Sequence, residues 1–165
     1  MIYSPLSIKY ALKMLEDGTS GTSYNQINSL SEGEGSYAEL DQAIKNAGDK
    51  LILNKSYKYS NEKQYENGIE INKDNFILEG NGFTIDGANL TRAFNVKGAN
   101  VIIENLNFIN CKSDFGGAIY WTGNGGVVSG CNFTDCNATE GGAIYWAGVD
   151  GSVSGCNFTD CNAAN

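Results

Sequence analysis

The carboxylates Glu79, Asp86, Glu104, Asp114, Asp135, Glu140 and Asp160 lie in the Gly- and Asn-rich part of the chain. Glycoside hydrolysis needs two such groups facing each other across the scissile bond, so these are the acids to weigh. Asp135 and Asp160 close the matching strings Asn132-Phe133-Thr134-Asp135 and Asn157-Phe158-Thr159-Asp160. A carboxylate that returns with a repeat reads first as a turn residue, because Asp and Asn side chains bond to nearby backbone. The same holds for Ca²⁺ binding by Asn and Asp columns, whose nonapeptide signature is absent. A polysaccharide lyase would need a strong base beside a Ca²⁺ cluster, yet Arg92 is the sole arginine and the lysines are scattered. Histidine is absent, which removes the commonest general base and metal ligand. No catalytic set, cofactor motif or metal-ligand spacing emerges, and the chain is expected not to be an enzyme.

Two other residue types could bind. Tyr120 and Tyr145 occupy equivalent places in Gly116-Gly117-Ala118-Ile119-Tyr120-Trp121 and Gly141-Gly142-Ala143-Ile144-Tyr145-Trp146. Pointing outward, they would offer a flat apolar surface to a sugar ring, or simply stack and steady their strands. Asn54, Asn89, Asn132, Asn137 and Asn157 each open an Asn-x-Ser/Thr sequon, a pattern that arises readily in an Asn-rich repeat. The formal charge of −8 would repel a nucleic-acid backbone, and no apolar run is long enough to span a membrane.

The elements that must position these residues recur every 25 positions. Asn105-Leu106-Asn107-Phe108 returns as Gly130-Cys131-Asn132-Phe133 and Gly155-Cys156-Asn157-Phe158. Leu51-Ile52-Leu53, Phe76-Ile77-Leu78 and Val101-Ile102-Ile103 keep the same step. Each unit holds three short apolar stretches separated by Gly and Asn, with the alternation of strands rather than helical spacing. Three strands and three turns make one rung, and rungs stack in parallel about 4.8 Å apart. The expected fold is mainly β: a right-handed parallel β-helix of 25-residue coils beginning near Leu51. Alternation sends Ile69, Ile71, Phe94, Val96, Ile119, Trp121, Ile144 and Trp146 inward on one wall. Leu106, Phe108, Cys131, Phe133, Cys156 and Phe158 line another. Five cysteines follow the repeat and are expected to be mostly free thiols.

Ser36 and Glu39 have capping-box spacing, so a cap helix is expected over 37–47, with Gly48 as its stop and Tyr37, Leu40 and Ile44 facing the first coil. Residues 31–36, rich in Gly and Glu, read as a linker, and residues 1–30 as two short amphipathic helices. The chain ends 15 residues into a coil, so the β-helix is expected to be C-terminally truncated and to self-associate through an open last rung.

Two resemblances follow from these strings. Ser4-Pro5-Leu6-Ser7-Ile8, Ala11-Leu12, Met14-Leu15, Gly18, Gly21 and Gln26-Ile27 resemble a stretch of the serpins, covering roughly residues 1–30. From about residue 37 to the end, Gly68-Ile69-Glu70-Ile71-Asn72-Lys73, Leu78-Glu79-Gly80-Asn81-Gly82-Phe83-Thr84-Ile85-Asp86-Gly87 and the two Gly-Gly-Ala-Ile-Tyr-Trp runs resemble the adhesin-like, pectin-lyase-fold repeat proteins of methanogens. That resemblance implies an extracellular or cell-surface, non-enzymatic module with surface glycans as partners. The alternatives are a polysaccharide lyase or glycoside hydrolase fragment and, more distantly, a fragment of a serpin protease inhibitor.

Overall fold

The computed structural model describes residues 33–165. The serpin-like segment and residues 31–32 of the expected linker lie outside the described residues, and the rest of that linker is not a free connection, since Glu34–Ser36 forms a strand. The unit Gly35–Asn165 is a parallel β-solenoid of about five turns. Its strands run through four sheets. One stacks β2 (Lys50–Ile52), β5 (Ile77–Glu79), β8 (Ile102–Glu104), β12 (Val127–Ser129) and β16 (Ser152–Ser154). The next stacks β1 (Glu34–Ser36), β3 (Ser56–Lys58), β6 (Thr84–Asp86), β9 (Asn107–Ile109), β13 (Asn132–Thr134) and β17 (Asn157–Thr159). β4 (Ile69–Ile71), β7 (Phe94–Val96), β11 (Ile119–Trp121) and β15 (Ile144–Trp146) form another. These are the three strands per coil that the alternation predicts.

The remaining sheet was not expected. β10 (Lys112–Phe115), β14 (Asn137–Glu140) and β18 (Asn162–Ala163) give the later coils a further strand. Buried residues bracket its first two strands, Cys111 and Gly116 around β10 and Cys136 before β14, whereas no residue within the three strands is buried. The chain therefore leaves the core at the cysteine, forms this strand outside it, and returns at the glycine pair. We call this projecting three-stranded sheet the fin.

The 25-residue register holds for most neighbours: Ile77 faces Ile102, Ile69 faces Phe94, and Phe133 faces Phe158. It slips early in the stack. Leu51 faces Leu78, Tyr57 faces Ile85, and Ile85 faces Phe108, so Ile85 rather than Phe83 occupies the inward column. In that coil the turn before Ile85 is two residues longer than its successor, and the segment from Ile85 to Phe94 is two residues shorter than that from Phe108 to Ile119. The two departures cancel, and β7 and β11 meet in register.

The core is built of columns. Phe108 and Phe133 stack at 4.8 Å with 7° between their planes, and Phe133 and Phe158 at 4.9 Å and 4°. Trp121 and Trp146 stack at 4.5 Å. The Trp column needs glycine beneath it: a Cβ on Gly126 would lie 2.3 Å from the Trp121 ring, and one on Gly151 would lie 2.1 Å from Trp146. Corners use a second device. Asn110, Asp135 and Asp160 have φ of 52°, 54° and 52°, the left-handed region that Asn and Asp tolerate best after glycine. This settles the repeated Asp135 and Asp160 as corner residues. The five cysteines are free thiols in two columns. Hydrogen bonding with Cys136 and burial hold the Cys111 thiol well above its ordinary pKa, and burial pushes Cys131 up to about 12.

Helix α1 (Tyr37–Asn46) covers the first coil, with Tyr37, Leu40 and Ile44 buried. Half of the expected capping box forms: Ser36 Oγ accepts from the Glu39 amide at 3.2 Å, but Glu39 turns instead to Lys55 Nζ at 3.0 Å. The helix ends on Ala47 in an extended conformation, not on a left-handed Gly48. Lys73, 29 residues beyond Ile44, donates to the carbonyls of Ile44 and Ala47, placing a cation where the helix dipole is negative. The Tyr65 hydroxyl donates to Asp41 Oδ2 at 2.6 Å and joins the helix to the stack.

Two measurements check this packing. Phe133→Ala, in the buried middle of its column, should lower stability by about 3–5 kcal/mol. Phe158→Ala, whose ring is 50% exposed, should lower it by roughly 1–1.5 kcal/mol, half the transfer free energy of a buried ring. Equal urea midpoints for the two variants would contradict the columns. Alkaline pH supplies the second. Burial, with the Asp41 hydrogen bond, pushes the Tyr65 pKa up to about 12, against about 10 in an unfolded chain. The unfolded state then releases this proton first, so the contribution is complete below about pH 10 and is lost as pH rises towards 12. The urea midpoint should fall across that window, and Tyr65→Phe should flatten the fall.

Candidate functional site

Ile119 and Trp121 are fully buried, so strand alternation turns Tyr120 outward. Tyr145 repeats the arrangement one coil later, directly paired with Tyr120. Their rings stack at 5.5 Å with 19° between planes. The structure thus brings together the two residues singled out from sequence.

It also shows how much of that pair is available. The Arg92 guanidinium lies over the Tyr120 ring at 5.3 Å, reaching it from the coil below, while Tyr145 covers the ring from the coil above. Both faces of Tyr120 are engaged, and it presents its edge. Tyr145 is half-buried. Phe115, on the fin, sets its ring nearly perpendicular to Tyr145 at 5.3 Å and tilted against Tyr120 at 6.4 Å. With 41% of its surface exposed, Phe115 extends the pair into a three-ring shelf at the foot of the fin.

Arg92 positions this shelf. It is 7% exposed and forms no ion pair with any described residue. One terminal nitrogen donates to the Asn67 carbonyl at 3.1 Å; the other donates to Ser113 Oγ at 2.6 Å and to the Phe115 carbonyl at 2.8 Å. The fork therefore joins the coil below to the fin above. Nε has no partner, and burial lowers the guanidinium pKa. Reading the sequence missed Arg92, Ser113 and Phe115. The available signal was an apolar residue directly before a Gly-Gly pair, in a segment that otherwise reads as a polar loop.

Of the candidate acids, Glu79 and Glu104 face each other in adjacent coils, and Asp86 and Glu79 are engaged by nearby groups. Asp86 Oδ1 accepts from the Ala88 amide at 2.8 Å. Glu79 accepts from the Asn81 amide at 2.7 Å and from Asn105 Nδ2 at 3.0 Å. Asp135 and Asp160 hold corners, and Asp114 and Glu140 lie on the fin. Among the described residues, no group of three or more His, Cys, Asp or Glu is placed to hold a metal ion.

A groove of about 530 Å³ flanks the fin, lined by Asn89, Leu90, Lys112, Asp114, Asn137 and Thr139 among others. A second, of the same size, lies between α1 and β4, lined by Asp41, Lys45, Tyr65, Glu70 and Lys73 among others. No protein-family model matches the chain, and no curated protein and no solved structure matches it either.

The role of Arg92 is open to direct measurement. Arg92→Met removes the bonds to Ser113 and Phe115, and amide exchange across Lys112–Phe115 should quicken about tenfold, the equivalent of one lost hydrogen bond. Exchange in β8 and β9 should not change. Arg92→Lys should behave like the Met variant, since one ammonium cannot reach in both directions.

Proposed function

We propose that this chain is a non-enzymatic β-solenoid module of the adhesin-like kind, which displays an aromatic shelf for binding glycans at a cell surface or outside the cell. The observation that carries the reading is the outward Tyr120–Tyr145 stack with Phe115 set against it. A hexose ring presents an apolar C–H face, and the half-buried Tyr145 with the exposed Phe115 ring set against it offers an aromatic surface to receive it. Rigid aromatic side chains, with two rotatable bonds each, also lose little conformational entropy on binding, an advantage for a surface recognising a flexible ligand.

Absence of catalysis is part of the proposal. Its support is the engagement of Asp86 and Glu79 with backbone amides of their own turns, which leaves neither poised as a general acid. The resemblance of the repeats to pectin-lyase-fold adhesins points the same way.

The test is a glycan array probed with the whole chain, followed by calorimetry on the hits. Tyr145→Ala should weaken binding about tenfold, the scale of one aromatic stacking contact, without lowering the unfolding free energy by more than about 1 kcal/mol. Unchanged affinity in that variant would remove the shelf from the account. Turnover of any polysaccharide, lost in Asp86→Asn, would overturn the non-enzymatic half.

A further inference from the structure

We propose that the groove between the 88–91 loop and the fin is a second binding site, for an extended, uncharged oligosaccharide lying along the solenoid axis. The ligand class rests on the carbohydrate reading above; the site rests on its own residues.

The groove exists because one coil differs from the next. Where later coils carry a fin strand, the coil of β6 and β7 has the shorter loop around Ala88–Thr91. The fin is anchored on it through the Lys112 amide, which donates to the Thr91 carbonyl at 3.0 Å. Thr91 is itself buried, and its hydroxyl donates to the Tyr65 and Glu66 carbonyls at 3.2 and 2.9 Å. The back of the loop is therefore pinned. Asn89 and Leu90 face outward, Leu90 with 57% of its surface exposed. Both walls are held before any ligand arrives, which lowers the entropic cost of binding.

Polar groups here are engaged differently from those on the neighbouring sheet. On β9, β13 and β17 the outward amides bond to one another: Asn132 Nδ2 donates to Asn107 Oδ1, and Asn157 Nδ2 to Asn132 Oδ1, each at 2.8 Å. In the groove, the side chains of Asn89, Lys112, Asp114 and Thr139 bond to no described residue. Asn137 accepts from Asn162 at 3.1 Å and keeps both amide hydrogens. Five groups thus offer donors and acceptors to one space.

Their mixture selects the ligand. A hydroxyl both donates and accepts, and this set answers both needs. Lys112 and Asp114 cancel, so the groove has no net charge to favour a uronate, and a chain of net charge −8 repels one at long range. Leu90 supplies an apolar patch for a ring face. Lys112 and Asp114 come from one coil and Asn137 and Thr139 from register-equivalent positions of the next, so a linear ligand along the axis meets polar side chains on successive rungs. A volume near 530 Å³ falls within the usual range for small-molecule sites.

The probes are the linear hexasaccharides of xylose, mannose and β-1,4-glucose, with hexagalacturonate as the acidic control, titrated into the whole chain. Leu90→Arg fills the groove from an exposed position, and Asp114→Ala removes one acceptor from the exposed fin. Either should weaken binding of a neutral hexasaccharide about tenfold. Amide exchange in Lys112–Asp114 should slow when wild-type protein is saturated. The proposal is overturned if both variants bind as wild type, or if hexagalacturonate alone binds. Loss of binding in Tyr145→Ala with both groove variants unaffected would leave the aromatic shelf standing by itself. Binding of no glycan, in these titrations or on the array, would remove both sites.

Discussion

Each side chain in the stack must tolerate its counterpart about 4.8 Å away, one coil above and one below. Parallel strands in register impose this, because the backbone hydrogen bonds that join coils also align equivalent residues. The constraint explains which columns occur. Aromatic rings at that spacing stack face to face, as Phe108, Phe133 and Phe158 do. Asn is its own hydrogen-bond partner, its amide nitrogen donating to the next amide oxygen, and so forms an outward ladder. Charge is the difficult case. Glu79 and Glu104 face each other in adjacent coils, and Asn105 together with the Asn81 amide supplies the donors that Glu79 needs there. Glu70 has the uncharged Asn95 as its counterpart and forms an ion pair with Lys97. Self-compatibility of columns, more than propensity within any strand, decides which residues this architecture accepts.

The same constraint governs how far the fold was legible. Columns leave a period in the sequence, and the period identifies a solenoid without any knowledge of the coordinates. Features that do not repeat leave no such trace. Lys73 caps α1 from 29 residues away, and no local pattern distinguishes it from any other surface lysine; Gly48 looked the better stop because capping rules are local. The fin escaped for a different reason. Lys112-Ser113-Asp114-Phe115 and Asn137-Ala138-Thr139-Glu140 lack the alternation of a half-buried strand, since this sheet lies outside the core and has no buried face to encode. The slip at Ile85 was hidden because two departures of equal length cancel within one coil, preserving the overall count while moving an inward column by two residues.

At the candidate site the outward placement of Tyr120 and Tyr145 followed from alternation alone. What covers them did not. Their separation makes them stack, and a stacked ring gives its faces to its neighbours, so an aromatic ladder conceals much of the surface that made it attractive as a platform. A ring that comes from outside the ladder keeps more of its surface. Phe115, set against Tyr145 and 41% exposed, is such a ring, and Arg92, the sole arginine, lies on Tyr120.

The fin separates two demands that a solenoid otherwise merges. Inside the core, a change at one position disturbs the whole column, so Phe133 or Trp121 cannot vary to suit a ligand. On the fin, side chains are bounded by solvent, and β10, β14 and β18 follow the corner where the cysteines sit and where segment length already varies between coils. The chain from Ile85 to Phe94 omits the strand altogether, yet β7 and β11 still pair in register. Binding chemistry placed there is free of the repeat's self-compatibility rule while keeping its rigid support, through Arg92 on one side and the Lys112–Thr91 bond on the other. Asn137, on the fin, retains both amide hydrogens because its counterpart one coil below is Lys112, which offers no acceptor, whereas the amide of Asn132 five residues earlier is bonded to those of the coils above and below.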